Sequence, residues 1–271
     1  MNSKKLYRRL NDILSKISEE DYPEIYNIIE NELDFSNEKV YGEAYNIAGE
    51  LHEADGAKIL PRCIADFIMD VYNDELNSGN VNAACDIGSL YYTGRAGEQN
   101  YKKAVEYYTI AADGGCRQAQ ENLGYCFYYG RDIPVDYEKA FHFFALGAFD
   151  GHLRSLYKIG DMYRNGYYVD KNEAEAFYIY MHCVDGLNED NIGYVGGDIM
   201  MRVGDCFLNG TGTEVDNKQA LKYYQLAEQM FYERLETGDF LIKNCYKHVL
   251  ENQEEARQRL NDALPGYEWR K

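Results

Sequence analysis

The chain has 271 residues, with 28 basic against 46 acidic side chains for a net charge of −18, and 45% of it is hydrophobic. That apolar fraction excludes bulk disorder, and the negative field repels a phosphate backbone, so no nucleic-acid partner is expected. No apolar run approaches the length a bilayer span needs, so no membrane partner is expected either.

The N-terminal segment is basic but leads into no apolar stretch, so it does not resemble a secretory signal. Leu6, Leu10, Ile13, Leu14 and Ile17 form one helical stripe. A second stripe, Ile25, Ile28, Ile29 and Leu33, begins near Asp21 and Pro23, a residue suited to a first helical turn. Residues 1–36 are read as N-terminal capping helices.

From residue 79 onward the sequence repeats. Gly88, Gly124 and Gly160 are spaced by 36 residues, and Gly204 follows after 44. Six residues after each stands Gly94, Gly130, Gly166 or Gly210. Twelve after stands Asn100, Asp136, Asn172 or Asp216, and sixteen after Ala104, Ala140, Ala176 or Ala220. Three after stands Tyr91, Phe127, Tyr163 or Phe207, and twenty after Tyr108, Phe144, Tyr180 or Tyr224. This use of one aromatic at the same place accounts for much of the unusual total of 27 tyrosines.

Each column has a physical reading. Positions −5, −1 and +3 about the first glycine share one face, making a first helix A amphipathic. The glycine inside that helix costs about 1 kcal/mol against alanine, so a close helix neighbour is expected there. The +6 glycine ends helix A in the left-handed conformation. The Asn or Asp at +12 caps helix B. The units are placed at about 79–116, 117–151, 152–187 and 188–238.

Residues 37–78 are read as a degenerate copy, with Ala44, Gly49 and Ala65 in the right columns, Asp55 in place of the turn glycine and Pro61 in place of the cap. The fourth unit carries eight extra residues, placed at 188–197, whose glycines predict a loop. Residues 239–271 are read as a C-terminal capping helix from Phe240 to Leu264, followed by a loose end from Pro265 to Lys271.

Segments such as Ile87-Gly88-Ser89-Leu90-Tyr91-Tyr92-Thr93-Gly94 and Asp136-Tyr137-Glu138-Lys139-Ala140-Phe141-His142-Phe143-Phe144-Ala145 resemble the Sel1-like repeat family, a relative of tetratricopeptide repeats. The expected fold is all-α: a right-handed superhelical solenoid of antiparallel helical hairpins. Helix content above about 60% is expected, against a globular norm of about a third. The resemblance implies an adaptor or scaffold for protein complexes. A secreted branch resembles a scheme of paired cysteines in helices A and B. Here Cys85 faces Ala112 at the pairing position, and Cys126 and Cys183 lack mates. All seven cysteines are therefore expected as reduced thiols in a cytoplasmic protein.

No catalytic constellation emerges, and no cofactor or metal is expected. Ser155-Leu156-Tyr157-Lys158 matches an S-x-x-K pattern, but Ser155 stands in a column of small packing residues. The five histidines show no zinc spacing, and Gly210-Thr211-Gly212-Thr213 lacks the lysine of a phosphate loop.

With −5, −1 and +3 in the core, positions −2, +1 and +5 are expected to line the opposite, concave face. They are Asp86, Ser89 and Thr93; Asn122, Tyr125 and Tyr129; Lys158, Asp161 and Asn165; and Arg202, Asp205 and Asn209. A monomer holding a peptide or protein in this groove is the predicted function, and the acidic charge would steer in a basic partner. Tyr194 on the inserted loop is a second candidate edge. The alternatives are an immunity or antitoxin-like protein masking a basic toxin and, remotely, an enzyme with an unrecognised site.

Overall fold

The structure is a computed structural model that describes residues 2–55, 58–236, 239 and 242–263. Helices account for 72% of it. The chain divides into two compact units, Met1–Val135 and Asp136–Lys271.

The first unit contains α1 (Ser3–Leu14), α2 (Pro23–Glu32), α3 (Ala44–Glu53), α4 (Arg62–Asn77), α5 (Asn82–Thr93), α6 (Tyr101–Asp113) and α7 (Arg117–Tyr129). The two N-terminal stripes bury Leu6, Leu10, Ile13, Ile25 and Ile29 in a core continuous with Ile47, Leu51, Phe67, Tyr72 and Ile87. Leu33 leaves the second stripe. It begins a two-stranded antiparallel pair, β1 (Leu33–Asp34) and β2 (Lys39–Val40), in which Leu33 opposes Val40. Asp34 ends the helical run because its carboxylate accepts the backbone amides of Ser36 and Asn37, an Asx turn that replaces helical bonding.

The second unit contains α8 (Tyr137–Phe149), α9 (Leu153–Asn165), α10 (Glu173–Asp185), α11 (Gly197–Asn209), α12 (Asn217–Glu236) and α13 (Lys243–Ala263). The tail helix thus falls inside the predicted span, while Phe240, Leu241 and the predicted loose end 265–271 lie outside the described residues.

The cap columns appear as read. Gly94, Gly130, Gly166 and Gly210 each cap an A helix at φ between 63° and 73°. Asn100, Asp136 and Asn172 each accept the amide three residues on at a B-helix start. The glycine inside helix A also has its expected reason. A Cβ on Gly88, Gly160 or Gly204 would lie 2.6–2.7 Å from the ring of Tyr108, Tyr180 or Tyr224.

Two expectations need correction. The inserted stretch is not a plain loop, because Ile192–Gly196 forms a π-helical turn that runs straight into α11. Its glycines serve contact rather than looseness, since a Cβ on Gly196 or Gly197 would strike Met230 or Phe231. Gly49 also lacks the close neighbour of its column, for an added Cβ would meet nothing within 4 Å. In residues 37–78, Asp55 takes a positive φ of 54° where the four repeats have glycine, and Pro61 stands at the N-cap of α4.

Candidate protein-interaction face

The A helices are α3, α5 and α7 in the first unit and α9 and α11 in the second. Their −2, +1 and +5 positions do not form one uniform strip.

In the second unit these positions are mostly closed by their own charges. Asp161 accepts a two-pronged pair of bonds from Arg202, Nε to Oδ1 at 2.7 Å and Nη2 to Oδ2 at 2.9 Å. It also accepts from Lys158 Nζ at 3.1 Å and from the Tyr180 hydroxyl at 2.8 Å. Lys158 and Asp161 are only 4% and 8% exposed. Burial would raise the Asp161 pKa, but the Arg202 guanidinium outweighs it and holds the carboxyl well below the usual range. Arg202 also lies over the Tyr157 ring, 4.3 Å from its centroid.

One repeat later Asp205 is likewise buried. It accepts the Tyr224 hydroxyl at 2.7 Å, with His248 Nε2 of α13 at 2.8 Å and Arg164 at 3.6 Å. Asn165 and Asn209 turn back to donate to the carbonyls of Asp161 and Asp205. The expected concave binding face at Lys158, Asp161, Arg202 and Asp205 is therefore taken up by internal ion pairs, Asp161 with Lys158 and Arg202, and Asp205 with Arg164 and His248. A helix with a single buried face would leave −2, +1 and +5 in solvent, but these A helices are covered both by their B helices and by the next element in the stack. A sequence signal existed: the +1 residue is aspartate where the +20 residue is a tyrosine needing an acceptor, in Asp161/Tyr180 and Asp205/Tyr224.

Ser155 is buried beside Gly147, whose Cβ would strike it, and Lys158 is committed to Asp161, so the S-x-x-K match is packing. Tyr194 is exposed, with Arg154 stacked 4.0 Å from its ring centre.

The first unit differs. Ser89 and Asn122 are half-buried and neutral, with the Asn122 amide 3.9 Å from the Cys85 sulfur. Thr93 donates to the Ser89 carbonyl at 2.8 Å. Tyr125 and Tyr129 stack with ring centroids 6.3 Å apart and 10° between planes, and Tyr129 is 46% exposed. Arg131 lies 5.2 Å from the Tyr129 ring centre.

Between α3 and α5 the same face opens into a cleft of about 440 Å³ lined by Tyr45, Gly49, Glu50, His52, Glu53 and Asp86, with Tyr72 and Asn46. Sequence reasoning placed Asp86 on this face but missed its cleft partners, which come from α3 and α4. The Tyr45 hydroxyl donates to Asp86 at 2.6 Å. Burial pushes the Asp86 pKa up, the Tyr45 bond opposes that, and Glu53 adds to it. His52 Nδ1 sits 3.2 Å from the Tyr72 hydroxyl. Burial, aided by Arg95, lowers the His52 pKa to about 4, so the ring is neutral near pH 7.

Four Sel1 repeats match the sequence, at residues 81–116, 117–152, 153–180 and 198–230. The chain belongs to the Sel1 repeat family. The unmatched stretch between the last two repeats contains the π-helical turn. Among the solved structures that share the fold are two repeat proteins. A Sel1 repeat protein from Oxalobacter formigenes is 19% identical over 80% of this chain and 86% of its own, with a TM-score of 0.55. A protective antigen present in uropathogenic Escherichia coli strains, described as displaying an SLR fold, is 20% identical over 84% of this chain, with a TM-score of 0.55. This chain spans 49% of that antigen's length. No curated protein matches the sequence. Sel1 repeats generally form protein-interaction scaffolds and are typically non-catalytic. No described helix is long and apolar enough to cross a membrane. Among the described residues no His, Cys, Asp or Glu cluster could hold a metal ion.

Proposed function

We propose that the chain is a non-catalytic, cytoplasmic protein-binding module that holds a peptide or protein segment against the A-helix face of its first unit. The observation that carries this reading is a difference in chemistry between the two units. In the second, the A-helix charges are spent on one another inside the fold. In the first, the same columns present a stacked tyrosine pair and an acidic cleft to solvent. Amphipathic aromatics beside amide and charged groups are typical of recognition surfaces. The net charge of −18 favours a basic partner.

The test is the double variant Tyr125→Ala/Tyr129→Ala, compared with the parent by quantitative partner capture. The variant should keep the parent's circular dichroism and lose the captured partner, because a central aromatic anchor contributes about 2 kcal/mol or more. Lys102→Ala, on the exposed surface of α6, serves as the control and should retain the partner. A double variant that folds and retains every partner would remove Tyr125 and Tyr129 from the binding face.

A further inference from the structure

Within each unit, a slot lies between successive A helices. It is bounded by the +1 residue of the preceding helix and the −2 residue of the following one. Between α9 and α11 these are Asp161 and Arg202, and the slot holds a guanidinium clasped by a carboxylate and stacked on a tyrosine. Between α5 and α7 they are Ser89 and Asn122, both neutral. Between α3 and α5 the register set by Asp55 and Pro61 makes them Glu50 and Asp86. Two carboxylates thus face the slot that in the second unit encloses an arginine.

This slot is the open cleft. Glu50 and Glu53 are exposed at its mouth, Asp86 is half-buried on one wall, Tyr45 stands beside it, and Tyr72 and His52 are buried at its base. Among the described residues no cation forms an ion pair with Asp86, Glu50 or Glu53, although the Arg95 guanidinium lies within electrostatic reach of Glu53, and the Tyr45 hydroxyl is the hydrogen-bond donor that Asp86 has. The chain thus holds a partly desolvated carboxylate among like charges and aromatic rings, in a space with room for a guanidinium and its methylene stem.

We propose that the α3–α5 cleft is a receptor for a single arginine side chain of the bound polypeptide, seated as Arg202 is seated in the second unit. Arginine fits better than lysine because its planar fork can serve two carboxylates at once and lie against a phenol ring. Asp86 and Glu50 bind the guanidinium, Tyr45 holds the Asp86 carboxylate in place, and Glu53 adds to the field that attracts the cation. The proposal rests on the protein-binding reading and specifies the partner's anchoring side chain.

The probe is the blocked peptide acetyl-Ala-Arg-Ala-amide, titrated into the full chain by NMR while the Gly49 amide and His52 ring are followed. Its counterpart carries citrulline, which keeps the shape and lacks the charge. The arginine peptide should give saturable shifts at these two residues, and citrulline should bind at least about tenfold more weakly, since the uncharged group leaves the acids unpaired. Asp86→Asn should weaken the arginine peptide by about tenfold and, separately, Glu50→Gln at the exposed mouth by about threefold. Glu50 is exposed, so its variant tests the cleft even if Asp86→Asn fails to fold. Equal binding of the two peptides, no saturable binding, or parent-like binding by folded Glu50→Gln would overturn the proposal. If that happens while Tyr125→Ala/Tyr129→Ala still loses its partner, the cleft assignment alone fails. Retention of all partners by the tyrosine variant strikes the binding face itself.

Discussion

Gly49 and Gly160 occupy the same repeat column, yet their environments give alanine opposite effects. At Gly160 an added Cβ would sit 2.6 Å from the Tyr180 ring, whose hydroxyl is tied to Asp161 and so resists moving. Gly160→Ala should destabilise the chain by about 1–3 kcal/mol, as overpacking typically does. At Gly49 nothing stands within 4 Å of the new methyl. Gly49→Ala should therefore stabilise by about 0.4–1 kcal/mol through the helix preference and the reduced freedom of the unfolded chain. Thermal or urea melting of the two variants checks both signs. The repeat spacing made both glycines visible in the sequence. Which of them touches a ring was not, because that depends on the B helix: Met69 stands twenty residues after Gly49, where the regular copies have Tyr or Phe. The same interaction can be probed from the other side. Tyr180→Phe removes one donor from a buried carboxylate and should cost about 1–3 kcal/mol.

Among the elements, α13 carries a pH-dependent attachment. His248 on α13 faces Asp205 on α11, with Tyr224, Asn252, Arg164 and Glu251 around the pair. The Asp205 bond raises the His248 pKa above 6.5 against the opposing effect of burial. Burial would raise Asp205, but His248 and Tyr224 bring it below 3.8. A raised histidine contributes stability that is fully present below 6.5 and is lost as the pH rises through its folded value. A lowered aspartate contributes stability that is present above 3.8 and is lost as the pH falls through its folded value. Docking of α13 should therefore be tightest between about pH 3.8 and 6.5 and loosen toward alkaline pH. Amide exchange in α13, corrected for intrinsic rates, should show that loosening, and His248→Gln should flatten it. A parent whose α13 protection is unchanged from pH 6 to pH 9 would exclude this role for the pair.

Across the whole molecule, the seven cysteines show how far the repeat governs chemistry. Cys85, Cys126, Cys183 and Cys206 are buried, and burial pushes the last three up to about 12. A thiol reagent should react first with the half-buried Cys63, Cys116 and Cys245, and with all seven only after unfolding. A reproducible deficit of two after unfolding would point to Cys85 and Cys116, which lie within mutual influence although neither spacing nor column paired them. By itself the sequence determined the helical hairpins, their caps and the close-approach glycines, because those depend on spacing along one chain and on local backbone preference. Only the tertiary structure decided the fate of the polar columns. Whether a −2 or +1 side chain meets water, an opposite charge or a like charge depends on what the adjacent helix brings to the same slot. That is why Lys158, Asp161 and Arg202 turned inward onto one another and Asp205 onto Arg164 and His248, while Asp86 and Glu50, on the same columns, were left facing an open cleft.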